Sequence, residues 1–314
     1  MPCYNASTYL REAIDSIQSQ SFKDWELLIV DDGSTDNSQE IAKSYAAQDI
    51  RIILIKQPNS GACRARNNGI EHASGEFIKF LDADDILEPG CLETQMKQIK
   101  ELSERQIPFG DYYNVDKVGN ITSRYIFDKQ EMLNADPVYF FFIEWHILIS
   151  TPLHRTTLIR EIGGFNESLN CGQELDMHMR LALANVEFIY RPCITFRYRE
   201  HNAASRISNK YHEGTIRKRN HVIQHAHECE KLLLAKYSFI PEKYKGYFVN
   251  MWFGLARDYF AIGYMQEGIS YFDMAKKYGL QTRFQKIYNR IGHLIGYELL
   301  EWMFQIRLKI LRKK

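Results

Sequence analysis

The sequence predicts an α/β protein with a mostly parallel, Rossmann-like sheet flanked by helices, followed by an α-helical C-terminal extension. Over the first hundred residues, short apolar runs of strand length alternate with helical periodicity, which is typical of βαβ units. Beyond residue 205 convincing strand signals stop and long helical periodicities begin, as in MWFGLARDYFAIGYM at 251–265. These two observations divide the chain into an α/β part and a helical part.

Each element of the α/β part has its own signal in the sequence. Apolar runs that predict buried strands lie at 25–30 (WELLIV), 51–55 (RIILI) and 77–81 (FIKFL). Apolar residues at helical spacing predict helices around 10–17, 41–46, 62–73 and 92–99. From 110 to 200 the pattern is mixed, with a second strand-rich stretch at 188–199.

We expect the first strand of this sheet to be missing from the sequence. Pro2, Tyr4 and Asn5 form a pattern typical of a turn after a strand, yet no apolar run precedes them. In a parallel sheet of this topology the strand is interior, so its loss leaves backbone groups of both neighbours unpaired. We therefore expect Met1 to be an internal methionine of a longer natural chain.

Length and composition fit a catalytic domain with an appendage, which we place at 1–205 and 206–314 of the 314 residues. A net charge of +1 excludes a strong positive electrostatic potential over the whole protein that would attract polyanions. We therefore expect no nucleic-acid partner. The six cysteines are scattered without a C-x-x-C pair, which suits reduced thiols in the cytosol. The most apolar window, 138–149, is too short to span a bilayer and predicts buried core.

Two acidic clusters directly follow predicted strands: Asp31-Asp32 and the run from Asp82 to Asp85. Ligands of parallel sheets bind outside the carboxyl ends of the strands, so both clusters are expected to face one crevice. Crowded carboxylates repel one another unless a hard cation compensates, and Mg²⁺ and Mn²⁺ prefer oxygen ligands. The pattern indicates a metal and a nucleoside diphosphate; the alternative is a pair of ordinary turns and helix caps.

Four motifs in this order resemble glycosyltransferase family 2: PCYN (2–5), VDDGSTDNS (30–38), GACRARNNGI (61–70) and FLDADD (80–85). Order, spacing and strand context match over residues 2 to 92, and more loosely to 205 through GGFNESL (163–169). The resemblance implies a GT-A fold and an inverting transferase that uses a nucleotide-sugar donor, expected to be a UDP-sugar. The helical tail lies outside it.

The resemblance also implies roles for residues of the nucleotide-binding half. Pro2 and Tyr4 belong to the turn that holds the nucleobase, with Tyr4 stacking on it, and Asp32 accepts a hydrogen bond from the base. Arg66 and Asn67 hold the loop near the sugar or phosphates; for Arg66 an ordinary surface position is the alternative.

A metal site is implied at the second acidic cluster. Asp82 is expected near the ribose, and Asp84, the last carboxylate of the D-x-D triplet, ligates Mn²⁺ or Mg²⁺ that bridges the diphosphate. His201, in the YREH stretch at 198–201, is a candidate contact to the metal or diphosphate. The metal ligands predicted by the resemblance are therefore Asp84, Asp82 and His201, with Asp85 in a supporting role.

The general base implied by the resemblance is an Asp before an apolar-x-x-Arg-Leu helix, and here the sequence departs from the pattern. It reads CGQELDMHMRL at 171–181, so Glu174 takes that place. A glutamate has a similar solution pKa and one more methylene, so it serves if the backbone sits further back. We predict Glu174 as the base, with Asp176 in reserve.

The predicted function is metal-dependent sugar transfer to a hydroxyl of a glycan or lipid-linked acceptor in surface polysaccharide biosynthesis. The alternatives are a polyprenyl-phosphate sugar synthase and a non-catalytic nucleotide-sugar-binding scaffold. The terminal stretch IRLKILRKK (306–314) is basic with interleaved Ile and Leu, which favours peripheral contact with an anionic membrane. We expect a cytoplasmic protein at the inner face of the plasma membrane.

Overall fold

The computed structural model describes residues 1–143, 147–169, 172–201, 215–280, 282–297 and 300–301. Chain contacts divide the protein into two units, Met1–His221 and Val222–Lys314. The boundary expected at 205 falls outside the described residues and stays a prediction, as does the membrane contact expected of 306–314.

A three-stranded parallel sheet forms the first half of the N-terminal unit. Its strands are β1 (Pro2–Cys3), β2 (Leu27–Asp31) and β3 (Ile52–Lys56), in the order β1-β2-β3. The crossovers are α1 (Leu10–Gln18) and α2 (Ser38–Ala46), and α3 (Ala62–His72) follows β3. Apolar faces such as Leu10, Ile14 and Ile17 of α1 are buried against the sheet. The βαβ architecture predicted for this half is confirmed.

β1 is only two residues long, and it contains Pro2. Pro2 pairs with Val30 and Cys3 with Asp31, in parallel with β2. The predicted turn therefore begins at Tyr4 rather than at Pro2, and Pro2 does not lie in the turn itself.

The third parallel strand predicted at 77–81 is wrong in length and pairing. The observed strand is β4 (Phe77–Ile78), and it pairs antiparallel with β8 (His154–Arg155). A cavity of about 430 Å³ is lined both by β2, through Leu28 and Val30, and by Phe80 and Leu81. Residues 79–81 have no ladder partner in β2, and the strand ends at Ile78.

A mixed four-stranded sheet forms the second half of the unit. Its strands are β5 (Ile86–Leu87), β6 (Gln106–Val115), β7 (Ile121–Tyr125) and β9 (Glu187–Arg199), in the order β5-β9-β6-β7. β6 runs parallel to β9, whereas β5 and β7 are antiparallel to their neighbours. The associated helices are α4 (Cys91–Lys100), α5 (Gln130–Ala135), α6 (Pro137–Ile143), α7 (Thr156–Glu161) and α8 (Gln173–Leu183).

The apolar window at 138–149 is core, as predicted, in its described residues. Phe140, Phe141 and Phe142 on α6 are at most 2% exposed, and Ile147 and Ile149 are buried as well. Phe141 packs edge-on against Phe188 of β9, with ring centroids 4.9 Å apart. This aromatic layer supports the sheet beneath α8.

The C-terminal unit is helical in its described residues. Its helices are α9 (Thr215–Tyr237), α10 (Glu242–Ala261), α11 (Met265–Lys277) and α12 (Arg283–Ile295). Stacked aromatic pairs hold them together: Trp252 with Tyr271 at 5.8 Å and Phe260 with Tyr297 at 4.9 Å. Within the described residues, none of the helices combines the length and apolar character that crossing a bilayer requires.

Candidate functional site

Tyr4 lies on a turn that hydrogen bonds fasten to the loop after β2. Asn5 adopts a positive φ of 49°, and its backbone N–H donates to Ser34 Oγ at 3.0 Å. The side-chain Oδ1 of Asn5 accepts from the backbone N–H of Thr35 at 2.8 Å. Tyr4 itself is 41% exposed, so its ring face is accessible for the stacking contact predicted with a nucleobase.

Asp32 is buried, and its carboxylate holds the loop that leads into α3. Oδ1 accepts from Gln57 Nε2 at 2.7 Å and from the backbone N–H of Ser60 at 2.8 Å. Oδ2 accepts from the backbone N–H of Gly61, which precedes α3, at 2.8 Å. A carboxylate offers about four acceptor positions, so one remains for a ligand. The contact predicted between Asp32 and the base stays a prediction.

The second acidic cluster comes together after β4. Ligand oxygens of Asp82, Asp84 and Asp85 all lie within 4.8 Å of one another. His201 adds an imidazole, since its Nε2 lies 2.9 Å from Asp84 Oδ2. Asp84 and His201, 117 positions apart, are thus brought into contact as the predicted metal site requires. Asp82 belongs to the same group of carboxylates as Asp84.

Arg199 forms hydrogen bonds with two residues of this cluster, Asp84 and Asp85. Its side chain is 1% exposed, and its Nε donates to the carbonyl oxygen of Asp84 at 3.0 Å. Its backbone N–H donates to Asp85 Oδ1 at 3.0 Å. The guanidinium is paired with Glu12 of α1 and lies over the ring of Tyr9, 4.8 Å from its centroid.

Sequence reasoning missed Arg199 and Glu12. Arg199 is the last residue of β9, and His201 is two positions further on. Side chains two apart in an extended chain point to the same side, so the spacing could have assigned Arg199 to the face of His201. Glu12 had no such signal, because an exposed acidic residue in the first turn of a helix is usually explained by the macrodipole.

Arg66 links the acidic cluster to the beginning of α8. It is 8% exposed, so the alternative of an ordinary surface arginine is wrong. Its Nη2 donates to Asp82 Oδ1 at 2.7 Å and its Nη1 donates to Gln173 Oε1 at 2.8 Å. The guanidinium is planar and rigid, and it binds Asp82 on one side and Gln173 on the other. It therefore fixes the position of Asp82 relative to the start of α8.

Glu174 is the second residue of α8 and follows Gln173 directly. Burial raises the pKa of Glu174; the nearby Arg66 opposes this shift and the Asp82 carboxylate adds to it. A carboxylate whose pKa is raised toward neutrality is a better proton acceptor than one at its ordinary value. Glu174 is therefore influenced by the charges of both Arg66 and Asp82, and its role as the base stays a prediction.

Asp176, the reserve candidate, is committed to another partner. It is 3% exposed, and its Oδ2 accepts from Nε of Arg180 at 2.8 Å and lies 2.6 Å from Nη2. Arg180 in turn donates to the carbonyl oxygen of Ile162. This two-pronged ion pair one turn along α8 engages the Asp176 carboxylate with Arg180, which favours Glu174 as the candidate base.

Asn67 holds a neighbouring loop. Its Oδ1 accepts from the backbone N–H of Phe165 at 2.7 Å. Its Nδ2 donates to the Phe165 carbonyl at 2.9 Å and to Glu167 Oε1 at 2.8 Å. Both amide hydrogens are therefore used within the protein, and the predicted donor contact of Asn67 stays a prediction.

The chemistry of the cluster fits a hard divalent cation. Three carboxylates in mutual reach repel one another, and a cation of the Mg²⁺ or Mn²⁺ type relieves that repulsion through oxygen ligands. Direct contacts join Asp82 to Arg66 and Asp84 to His201.

Comparisons with known proteins bear on the family and the fold of this chain. A family model described as Glycosyl transferase family 2 matches residues 1–155. Glycosyltransferase GlyA of Streptococcus pneumoniae serotype 4 is 42% identical over 117 residues, which are 37% of this chain and 17% of GlyA. The chain thus spans less than a fifth of that relative's length.

Two solved structures share the fold at low sequence identity. S. aureus TarS 1-349, crystallised with UDP-GlcNAc, superposes with a TM-score of 0.59 at 17% identity, over 97% of this chain and 90% of that one. A mannosyltransferase of Pyrobaculum calidifontis, in complex with GDP-Man and Mn²⁺, gives 0.53 at 16% identity, over 96% and 81%. The fold is therefore GT-A with C-terminal helices.

Proposed function

The chain belongs to glycosyltransferase family 2 through residues 1–155, and on this premise we propose that it transfers a sugar from a nucleotide-sugar donor to a hydroxyl group. The acceptor in this proposal is a glycan or a lipid-linked glycan of surface polysaccharide biosynthesis. The observation that carries the proposal is the chain of contacts from His201 and Asp84 through the acidic cluster to Arg66 and α8. This network supports a cation site close to the helix that carries the candidate base Glu174.

The donor lies across the carboxyl ends of the first sheet in this proposal. Tyr4, exposed on its turn, stacks on the base, and the remaining acceptor position of Asp32 takes an N–H of that base, as uracil offers. A UDP-sugar is the donor that this pairing favours. The solved complexes of similar fold contain UDP-GlcNAc in one case and GDP-Man in the other.

Asp82, Asp84 and His201 would hold Mn²⁺ or Mg²⁺, with Asp85 close enough to add a carboxylate oxygen. A bound divalent cation supplies Lewis-acid stabilisation of the charge on a departing diphosphate. The side chain of Arg199 holds the carbonyl oxygen of Asp84, and its backbone N–H holds the carboxylate of Asp85.

Glu174 takes the proton of the acceptor hydroxyl. As its carboxylate oxygen accepts that proton, the hydroxyl oxygen forms a bond to the anomeric carbon on the face opposite the diphosphate. The bond from that carbon to the diphosphate oxygen breaks, and the electron pair leaves with the nucleoside diphosphate. Configuration is inverted, and the burial that raises the pKa of Glu174 favours proton uptake.

Replacing Glu174→Gln tests the base. We expect a loss of about 100-fold or more in kcat, measured as UDP release from a panel of UDP-sugars with octyl glycosides as hydroxyl acceptors. Since the pKa of Glu174 is raised above 4.5, activity of the unaltered enzyme is lost as pH falls through a value above 4.5. The matched control is Glu161→Gln, an exposed carboxylate paired with Arg105, which should leave kcat unchanged.

The same assay separates the alternatives. Undiminished turnover of the Glu174→Gln variant with octyl glycosides contradicts the proposed base. Turnover by both forms only with farnesyl phosphate, whose acceptor oxygen is already ionised, indicates a polyprenyl-phosphate sugar synthase. Donor binding without UDP release under any condition indicates a non-catalytic scaffold.

A further inference from the structure

α12 uses one face to pack within the C-terminal unit. Its N-terminus is capped by Thr282 through a capping box with Gln285. Gln285 donates to Asn250 Oδ1 at 2.8 Å, and the ring of Tyr288 lies 5.2 Å from that of Phe253. The helix is therefore held in place by a buried polar contact and by aromatic packing.

A second face of the same helix exposes large apolar side chains. Phe284 is 42% exposed, Ile287 is 41% exposed and Leu294 is 82% exposed, with Ile291 partly buried between them. At 3.6 residues per turn these four positions fall within an arc of about 80°. Single exposed apolar residues are ordinary, but an aligned row along three turns indicates a contact surface.

The row is bordered on one side by positive charge. Arg283, Lys286 and Arg290, together with His293, fall in the adjoining arc of about 80°. The helix sequence RFQKIYNRIGHLI contains no Asp or Glu. An apolar stripe beside a uniformly basic row has the pattern of a helix that lies in the interface of an anionic membrane.

We propose that α12 docks on an anionic lipid surface, with Phe284, Ile287, Ile291 and Leu294 entering the acyl boundary and the basic row facing lipid phosphates. We choose an anionic lipid surface as the partner because negatively charged headgroups complement the positive charges of the basic row. No Asp or Glu of the helix would repel those headgroups. The surface consists of residues of α12 and does not include the basic stretch at 306–314. It does not depend on the proposed transferase activity, although it would bring the enzyme to a lipid-linked acceptor.

Vesicle co-sedimentation of the full chain tests the proposal. We expect binding to vesicles of phosphatidylcholine mixed with phosphatidylglycerol, weak binding to phosphatidylcholine alone, and loss of binding in about 1 M salt, where the Debye length is ~3 Å. The double variant Ile287→Ser with Leu294→Ser should bind at least tenfold less, as should Lys286→Glu with Arg290→Glu. These exposed substitutions should leave the melting temperature unchanged.

Matched controls lie in the N-terminal unit. Ile50→Ser removes an apolar side chain that is 94% exposed, and Lys23→Glu with Lys100→Glu makes the same change in net charge on exposed lysines. Both controls should bind like the unaltered protein. Equal binding to neutral vesicles, or undiminished binding by both α12 variants, would overturn the proposal. Donor hydrolysis without lipid should be the same in all forms.

Discussion

Arg199 shows how one buried side chain can define a site without touching the reactants. Its guanidinium and backbone hold Asp84 and Asp85, while its charge is balanced by Glu12 on α1. Removing the partner of a buried cation leaves a charge that the interior does not solvate. The geometry of the acidic cluster should therefore depend on a residue far from it in sequence.

Replacing Glu12→Gln should weaken the metal site while leaving the cluster's own residues intact. We expect a several-fold rise in the Mn²⁺ concentration that half-saturates donor hydrolysis. The loss of stability should be only about 1 kcal/mol, because the side chain of Glu12 is 51% exposed and its ion pair is partly screened.

Glu40→Gln is the control for this variant, since Glu40 forms an exposed ion pair with Lys43 on α2. It should change neither the metal dependence nor the turnover. An unchanged Mn²⁺ requirement in the Glu12→Gln protein would show that Arg199 does not position the cluster.

Individual site residues were predictable to different degrees. Asp82, Asp84 and His201 could be grouped because motif order and strand context point to one edge of the sheet, and the structure places them together. The partners of Asp32 could not be predicted, because they are two backbone N–H groups and one amide whose positions depend on the path of the loop. The same holds for Asn67, whose partners are a hundred residues away.

At the scale of elements, close packing between α10 and α11 depends on one glycine. A Cβ at Gly268 would lie 2.4 Å from the ring of Phe260, so the two helices approach only because no side chain is present there. A glycine inside a helix is otherwise unfavourable by about 0.5–1 kcal/mol relative to alanine. The contact therefore outweighs helix propensity.

Gly268→Ala should destabilise the protein by about 1–3 kcal/mol, because the added methyl group forces Phe260 out of its rotamer or the helices apart. Gly254→Ala on α10 meets nothing within 4 Å and should instead stabilise by about 0.5–1 kcal/mol. Calorimetric melting of the two variants beside the unaltered protein gives the comparison. If the melting temperature rose by the same amount in both variants, the packing described for Gly268 would be contradicted.

Elements with strong periodicity were predicted well, and those fixed by distant partners were not. α1 to α4 follow from apolar spacing, as do β2 and β3. The run at 77–81 reads as a strand of the parallel sheet, yet only Phe77–Ile78 pairs, and its partner β8 lies 76 positions along the chain. Apolar content indicates burial, but pairing requires a neighbour at the right place.

The whole molecule combines a part that matches glycosyltransferase family 2 over residues 1–155, a mixed second sheet and a helical unit with an exposed basic and apolar helix. The change from alternating strand and helix patterning to purely helical patterning predicted an α/β part followed by a helical part. The lipid-facing stripe of α12 was not predictable, since only the packing of Gln285 and Tyr288 shows which side of the helix faces inward.

The central claim is that the acidic cluster with His201 forms a site for a nucleoside diphosphate and a divalent cation. Its most direct test is a thermal-shift titration with UDP, GDP and dTDP, each with and without Mn²⁺, on the unaltered protein and on Asp84→Asn. We predict stabilisation of about 2.7 kcal/mol at a hundredfold excess over Kd, seen only when UDP and Mn²⁺ are both present and lost in Asp84→Asn. Absence of a shift with every nucleotide, or an equal shift in Asp84→Asn, would contradict it.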